Sequence, residues 1–223
     1  MFPGTQAARA RILRGGTSTV PVIDIDGTRI GDSTRIIEEL ERRWPDPPLY
    51  PADPEERQRA LELEDFFDEH CAHELRRVMF DPLLRHPELM AEATGSDRMR
   101  GGGVMKVMFP IVNRAVRHKY SINEESAAHA RETVIAAMDR IEQERGPTGY
   151  LVGDSFSVAD LTAAAILSPL VRPPEFPYHQ VDPVRDPEDL KRWRDTLTER
   201  TAFKYVLEMY IRHRGTSAEV AAA

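Results

Sequence analysis

The chain has 223 residues, 41% of them hydrophobic and 30% charged, with a formal net charge of −7 and a pI near 5.6. That is a globular composition with room for one or two cored domains, and its acidic balance argues against nucleic acid or an anionic membrane as the partner. No apolar run approaches the roughly 18 residues of a membrane helix. Met1-Phe2-Pro3-Gly4 lacks the pattern of a secretory signal, and the single cysteine, Cys71, excludes an internal disulfide framework, so a reducing cytoplasm is the expected setting.

Residues 5–14 set Ala7, Ala8, Ala10, Ile12 and Leu13 among arginines, which predicts a short helix, and Arg14-Gly15-Gly16-Thr17-Ser18 a loop. Val20 to Ile25 predicts a strand, Asp26-Gly27 a two-residue hairpin turn and Thr28-Arg29-Ile30 the return strand. Pro21 lacks an N–H and belongs at the strand's beginning or on an unpaired edge. Gly31-Asp32-Ser33-Thr34 opens a helix with Asp32 or Ser33 as N-cap. Ile36, Ile37, Leu40 and Trp44 supply its apolar stripe, and Pro45 stops it. Prolines 45, 47, 48, 51 and 54 then predict a stiff, extended linker.

Asp53-Pro54-Glu55-Glu56 is a second helix start, with an Asp cap and proline in the first helical position. Leu63, Phe67, Cys71, Leu75 and Val78 share one face of the long helix that follows, which Pro82 and Pro87 are expected to end. Residues 88–103 are weakly patterned, and Gly101-Gly102-Gly103 is a break. Apolar residues at 3–4 spacing predict a helix over 104–120, kinked at Pro110. Another is predicted over 123–145, with Ala127, Ala130, Val134, Met138 and Ile141 inward. Beyond residue 167, Pro169, Pro173, Pro174 and Pro177 predict an irregular loop. Helices over 187–197 and 202–212 and a frayed tail from Gly215 complete the chain.

The most informative stretch is Leu151 to Leu167. Ser157 and Asp160 have the spacing of a capping box, each able to satisfy the other's backbone N–H, with Asp in the usual Glu/Gln place. Phe156 and Leu161 are placed for a hydrophobic staple. From Leu161 to Leu167 only Thr162 is polar and three alanines run together, the signature of a central helix closely approached by its neighbours.

Tyr150-Leu151-Val152-Gly153-Asp154, then apolar-Ser-apolar-Ala-Asp and a small-residue helix, resembles the core-helix motif of the glutathione transferase family. Val20-Pro21 followed by Asp32-Ser33 resembles that family's glutathione-binding half. The resemblance covers residues 5–214. It implies a mainly α fold with a small α/β part: a partial thioredoxin-like glutathione-binding domain over 1–44, a linker over 45–53, an all-helical domain over 54–214 and a tail over 215–223. It also implies a cis Val20–Pro21 bond, the Val20 backbone on the cysteinyl part of glutathione, and Asp32 and Ser33 on the γ-glutamyl end. The physics agrees, since free N–H groups at a helix start bind a carboxylate and Asp32 offers the ammonium group an acidic partner.

The implied activity is glutathione transfer: attack of glutathione thiolate on a small hydrophobic electrophile, with glutathione as co-substrate and no metal. The implied assembly is a homodimer, with neither nucleic acid nor membrane as partner. The alternative is a non-catalytic binding or interaction protein of the same fold, or an inactive fragment. The family's domain begins with a βαβ unit, and such a unit takes roughly 30 residues. Met1 is therefore expected to fall after it. The thiol-activating Tyr, Ser or Cys lies in that unit, so no catalytic residue is assigned.

Other candidates have more ordinary readings. Cys71, on an apolar helix face, reads as a buried inert thiol. His70, His73 and Glu74 have i, i+3, i+4 spacing, but nothing completes a metal site. His70 and Arg77 are weak candidates to line a substrate cleft. Gly101-Gly102-Gly103 lacks the strand and Lys-Ser/Thr of a phosphate loop.

Overall fold

The computed structural model describes residues 21–86, 89, 103–177, 180 and 182–215, with backbone only over 103–108. The expectations for residues 1–20, for 87–102 and for the tail from residue 216 lie outside the described residues. These include Val20, and with it the isomer of the Val20–Pro21 bond.

The hairpin forms as expected. β1 (Val22–Ile25) pairs antiparallel with β2 (Thr28–Gly31) in the register Val22–Gly31, Ile23–Ile30, Asp24–Arg29, Ile25–Thr28. Asp26 and Gly27 both take positive φ, 54° and 79°, as a primed two-residue turn requires. Asp24 secures the turn by accepting from the Gly27 N–H at 3.1 Å. Pro21 sits just before β1, where its missing N–H interrupts no ladder.

Helix α1 (Ser33–Arg43) follows at once, capped by Asp32. Its stripe is only half covered: Ile36 is buried, whereas Leu40 is 38% and Trp44 60% exposed. Four-residue strands span about 13 Å and an 11-residue helix about 16 Å, so this hairpin cannot cover α1 to its end.

The proline-rich stretch is tied down on both sides. The Glu41 carboxylate of α1 accepts from the backbone N–H groups of Leu49 and Tyr50, at 3.0 and 3.2 Å. The Leu49 carbonyl accepts the N–H of Val158 at 2.9 Å.

α2 (Pro54–Asp65) starts on the predicted cap, with Asp53 accepting from Glu55 and Glu56 at 3.0 Å. It continues through a π turn over Phe66–Cys71 into α3 (Ala72–Arg85). Leu63, Phe67, Cys71, Leu75 and Val78 are all buried, as the stripe predicted. Pro82 does not end the helix; α3 runs through it to Arg85. α4 (Gly103–Lys119) likewise contains Pro110. α5 (Glu124–Glu144) begins on an Asn123–Ser126 capping box. α6 (Val158–Val171), a short 3-10 turn over Pro183–Arg185, α7 (Glu188–Asp195) and α8 (Thr201–His213) complete the order.

α6 is the centre of the bundle. α2, α3 and α8 pack on it, and α5 packs against α3 and α8. It runs through Pro169, which corrects the expected irregular loop there. A proline at 169 cannot donate to the carbonyl of Ala165. The hydroxyl of Ser168 donates to it instead, at 2.9 Å, so no buried acceptor is stranded. Arg194 of α7 satisfies the helix's last carbonyls, Leu170 and Val171, at 2.8 and 3.0 Å. A smaller apolar cluster, Leu84, Phe109 and Ile122, sits where the α3 end meets α4.

The Ser157–Asp160 capping box forms, and Asp160 does more than cap. Fully buried, its carboxylate accepts from the N–H of Leu151, from the N–H and hydroxyl of Ser157, each at 2.9 Å, and from the Tyr205 hydroxyl of α8 at 2.6 Å. Burial, then the adjacent carboxylate, pushes the Tyr205 phenol well above its ordinary pKa and keeps it a donor. Replacing Asp160 by Ala takes the acceptor from all four of these donors. We expect Asp160→Ala to cost about 3 kcal/mol of stability and Tyr205→Phe about 1 kcal/mol, read by denaturant unfolding. Equal losses for the two variants would show that the carboxylate is not the hub of the network.

Candidate functional site

The candidate site is the N-terminus of α1 and what packs on it. β2 delivers the chain into Asp32, which holds φ at 77°, a left-handed setting uncommon for any residue but glycine. Residues held there cluster at ligand sites. The Asp32 side chain accepts from the Arg35 N–H at 3.3 Å, and its backbone carbonyl accepts from the Ile36 N–H at 3.0 Å. Ser33, the first helical residue, is exposed. Asp32 and Ser33 therefore stand together at an open helix start, where N–H groups and the helix dipole favour an anion. Pro21 is exposed at the foot of β1.

Three residues join this site that the sequence alone did not single out. The Thr34 hydroxyl donates to Glu64 Oε1 of α2 at 2.9 Å, tying the α1 start to the helical bundle. Glu64 is 3% exposed, and burial raises its pKa, against the lowering effect of the Thr34 bond. Tyr50 is buried with its hydroxyl unpartnered among the described residues. Its phenol is pushed up to about 12 by burial and then by Glu64, Glu38 and Glu41. One signal was available: Glu64 lies four residues after Ala60 and beside Leu63, on the face that otherwise reads as core.

The remaining candidates lie elsewhere. His70 is exposed on the π turn and stacks on Phe66, with ring centroids 5.7 Å apart. Arg77 is half-buried, and its guanidinium donates to Glu74 at 2.5 Å and to the Tyr120 carbonyl at 2.8 Å, so it braces the α3–α4 region. Cys71 is fully buried, and burial, with Glu74 adding to it, pushes its thiol up to about 12. Such a thiol is not ionised at neutral pH. His70, His73 and Glu74 do not converge, and among the described residues no group of three side chains is arranged to hold a metal. No described helix is long and apolar enough to cross a membrane.

A short hairpin feeding a capped helix, a tied proline segment, and a helical bundle wound around a buried Ser–Asp capping box define a glutathione-transferase fold. Residues 124–196 match the family model described as glutathione S-transferase, C-terminal domain. Within its helical part the chain is similar to that family's C-terminal domain, and it carries the glutathione-transferase fold. The beta-etherase LigF from Sphingobium sp. strain SYK-6 is similar at 22% identity and a TM-score of 0.54, over 92% of this chain and 84% of that one. A glutathione S-transferase from Rhodospirillum rubrum F11 is similar at 21% identity and a TM-score of 0.51, over 93% and 78%. One from Sinorhizobium meliloti 1021 is similar at 19% identity and a TM-score of 0.50, over 98% and 83%. No curated protein sequence matches the chain.

The buried Glu64 carboxyl has a pH signature. Its folded pKa is raised above the ordinary value of about 4.5. Its contribution is therefore fully present below that value and is lost as pH rises through the folded pKa. Gln at 64 keeps an acceptor for Thr34 and carries no charge. Glu64→Gln should therefore gain stability relative to the parent between pH 4.5 and 7. The measurement is denaturant unfolding at both pH values; parallel pH slopes for the two proteins would refute it.

Proposed function

We propose that this protein binds glutathione at the α1 N-terminus and transfers its thiolate to a small hydrophobic electrophile. The observation that carries the reading is the pairing of Asp32 and Ser33 at an open helix start in a glutathione-transferase fold. The γ-glutamyl carboxylate of glutathione would take the first-turn N–H groups and the Ser33 hydroxyl. Its ammonium group would take the Asp32 carboxylate. Val20 and Pro21 would present backbone to the cysteinyl part. Thr34 and Glu64 would hold this end of α1 against the bundle, so the tripeptide meets a preorganised surface.

Bound glutathione supplies the nucleophile. Its sulfur lone pair forms the new bond to the electrophilic carbon, and the leaving group departs with the displaced electron pair. The protein must favour thiolate at neutral pH. Cys71 does not take part, because it is sealed in the core. No thiol-activating residue is assigned. His70 and Arg77 stay as weak cleft candidates, Arg77 the weaker because its donors are committed. The expected setting remains the cytoplasm, as a homodimer. We place residues 1–44 in the glutathione-binding part, 45–53 between the parts, 54–214 in the helical domain and 215–223 in a tail. The alternative, a binding protein of this fold without turnover, differs in one result.

Isothermal titration of the full chain with glutathione tests the site. Ser33→Ala should weaken binding by about 1–3 kcal/mol, the cost of a charge-assisted hydrogen bond lost at a partly desolvated carboxylate. Equal affinity of the variant and a parent that binds would remove Ser33 from the site. Turnover of 1-chloro-2,4-dinitrobenzene with glutathione would support the transferase, and binding without turnover the alternative.

A further inference from the structure

A cavity of about 180 Å3 opens between α6 and the C-terminal half of α8. None of its lining residues belongs to the hairpin, α1 or α2, so it is separate from the glutathione site proposed above. Leu161, Ala164 and Ala165 of α6 line it from one side and Met209 and Tyr210 of α8 from the other, with Phe156, just before α6, also in the lining. The cavity exists because two successive α6 positions are alanine where interiors are otherwise filled by larger side chains. An enclosed apolar cavity of about 150 Å3 takes one benzene ring, so this space fits a single ring or a branched aliphatic group.

Its lip is polar and cationic. His213 and Arg214 complete the lining. His213 stacks on Phe156 with ring centroids 4.2 Å apart, and its Nε2 lies 3.2 Å from the Tyr150 hydroxyl. Arg212 donates to that hydroxyl at 2.5 Å and to Glu208 at 3.0 Å. An arginine can only donate, so the Tyr150 hydroxyl accepts from it while also sharing a hydrogen bond with His213 Nε2. Arg212 and His213 are thus held in a fixed network. Arg214 differs: its backbone N–H bonds the Tyr210 carbonyl, and its guanidinium makes no ion pair among the described residues. In a chain with a net charge of −7, this arginine has no ion-pair partner among the described residues and lies in the lining of an apolar cavity.

We propose that this cavity is a second small-molecule site, for a compact apolar anion. An aromatic or branched aliphatic body fills the space between Ala165 and Met209, and a carboxylate or sulfonate meets Arg214. An anion suits this mouth because the unpaired group there is a guanidinium, whose planar fork binds carboxylates bidentately. The apolar body supplies affinity that a surface charge alone lacks.

The test is a titration of the full chain with 4-fluorobenzoate, followed by fluorine NMR. Saturable binding is expected. Ala165→Trp fills the space and Arg214→Glu reverses the charge; each should weaken binding at least tenfold, about 1.4 kcal/mol, with an unchanged melting midpoint. Ala165 and Arg214 are not buried, so both variants should fold. Arg214→Lys should keep most of the affinity. The neutral isostere 4-fluorobenzamide should bind about tenfold more weakly. Glutathione at saturation should leave the benzoate affinity unchanged. Lack of saturation, full affinity in Ala165→Trp, equal binding of the amide, or displacement by glutathione would each overturn the proposal.

Discussion

The structure depends on one buried carboxylate. Asp160 is fully buried, and an isolated ionised carboxylate there would be prohibitively costly. It is tolerated because four donors converge on it: Leu151 N–H, Ser157 N–H, the Ser157 hydroxyl and the Tyr205 hydroxyl. Those donors come from the loop before α6, from the cap of α6 and from α8. The bundle's centre is therefore assembled by the need to solvate a charge without water. Apolar packing of α6 supplies the bulk of the burial, but it would accept many registers. The carboxylate network selects one, because any slip leaves several polar groups unpaired.

From that point order propagates to the candidate site. Val158, the first residue of α6, gives its N–H to Leu49, and Leu49 and Tyr50 give theirs to Glu41 of α1. Thr34 and Glu64 make a second tie at the other end of α1. The helix start bearing Asp32 and Ser33 is thus fixed against the bundle at two places along α1. The prolines between them contribute stiffness, but the backbone bonds of Leu49 and Tyr50 set the geometry. Glu64 carries a cost for its part, since its charge is disfavoured where it sits.

Much of this was legible in the residues. Capping chemistry is local, so Asp32, Asp53, Asn123, Ser157 and Asp160 announced helix starts at or next to the residues where the helices begin. Asp26-Gly27 announced the hairpin because few other pairs tolerate two positive φ values. Errors fell where a local rule was overridden by a partner. Pro169 was expected to break α6, and the Ser168 hydroxyl bonds the carbonyl that the proline leaves free. The α1 stripe gave the helix but not its coverage: Ile36 is buried and Trp44 is exposed, because the short hairpin does not reach that far.

The sequence by itself determined the class of fold, the placement of the helices and the identity of the buried capping pair, because periodicity, caps and turns are read from neighbours within a few positions. The tertiary structure alone decided which polar groups meet across long separations. Thr34 finds Glu64 thirty residues away and Asp160 finds Tyr205 forty-five away. Arg77 spends itself on Tyr120, and Arg214 lines a cavity with no ion pair among the described residues. Such pairings carry no periodic signal. They follow from how helices cross and what each crossing buries, and that is settled only when the whole core packs.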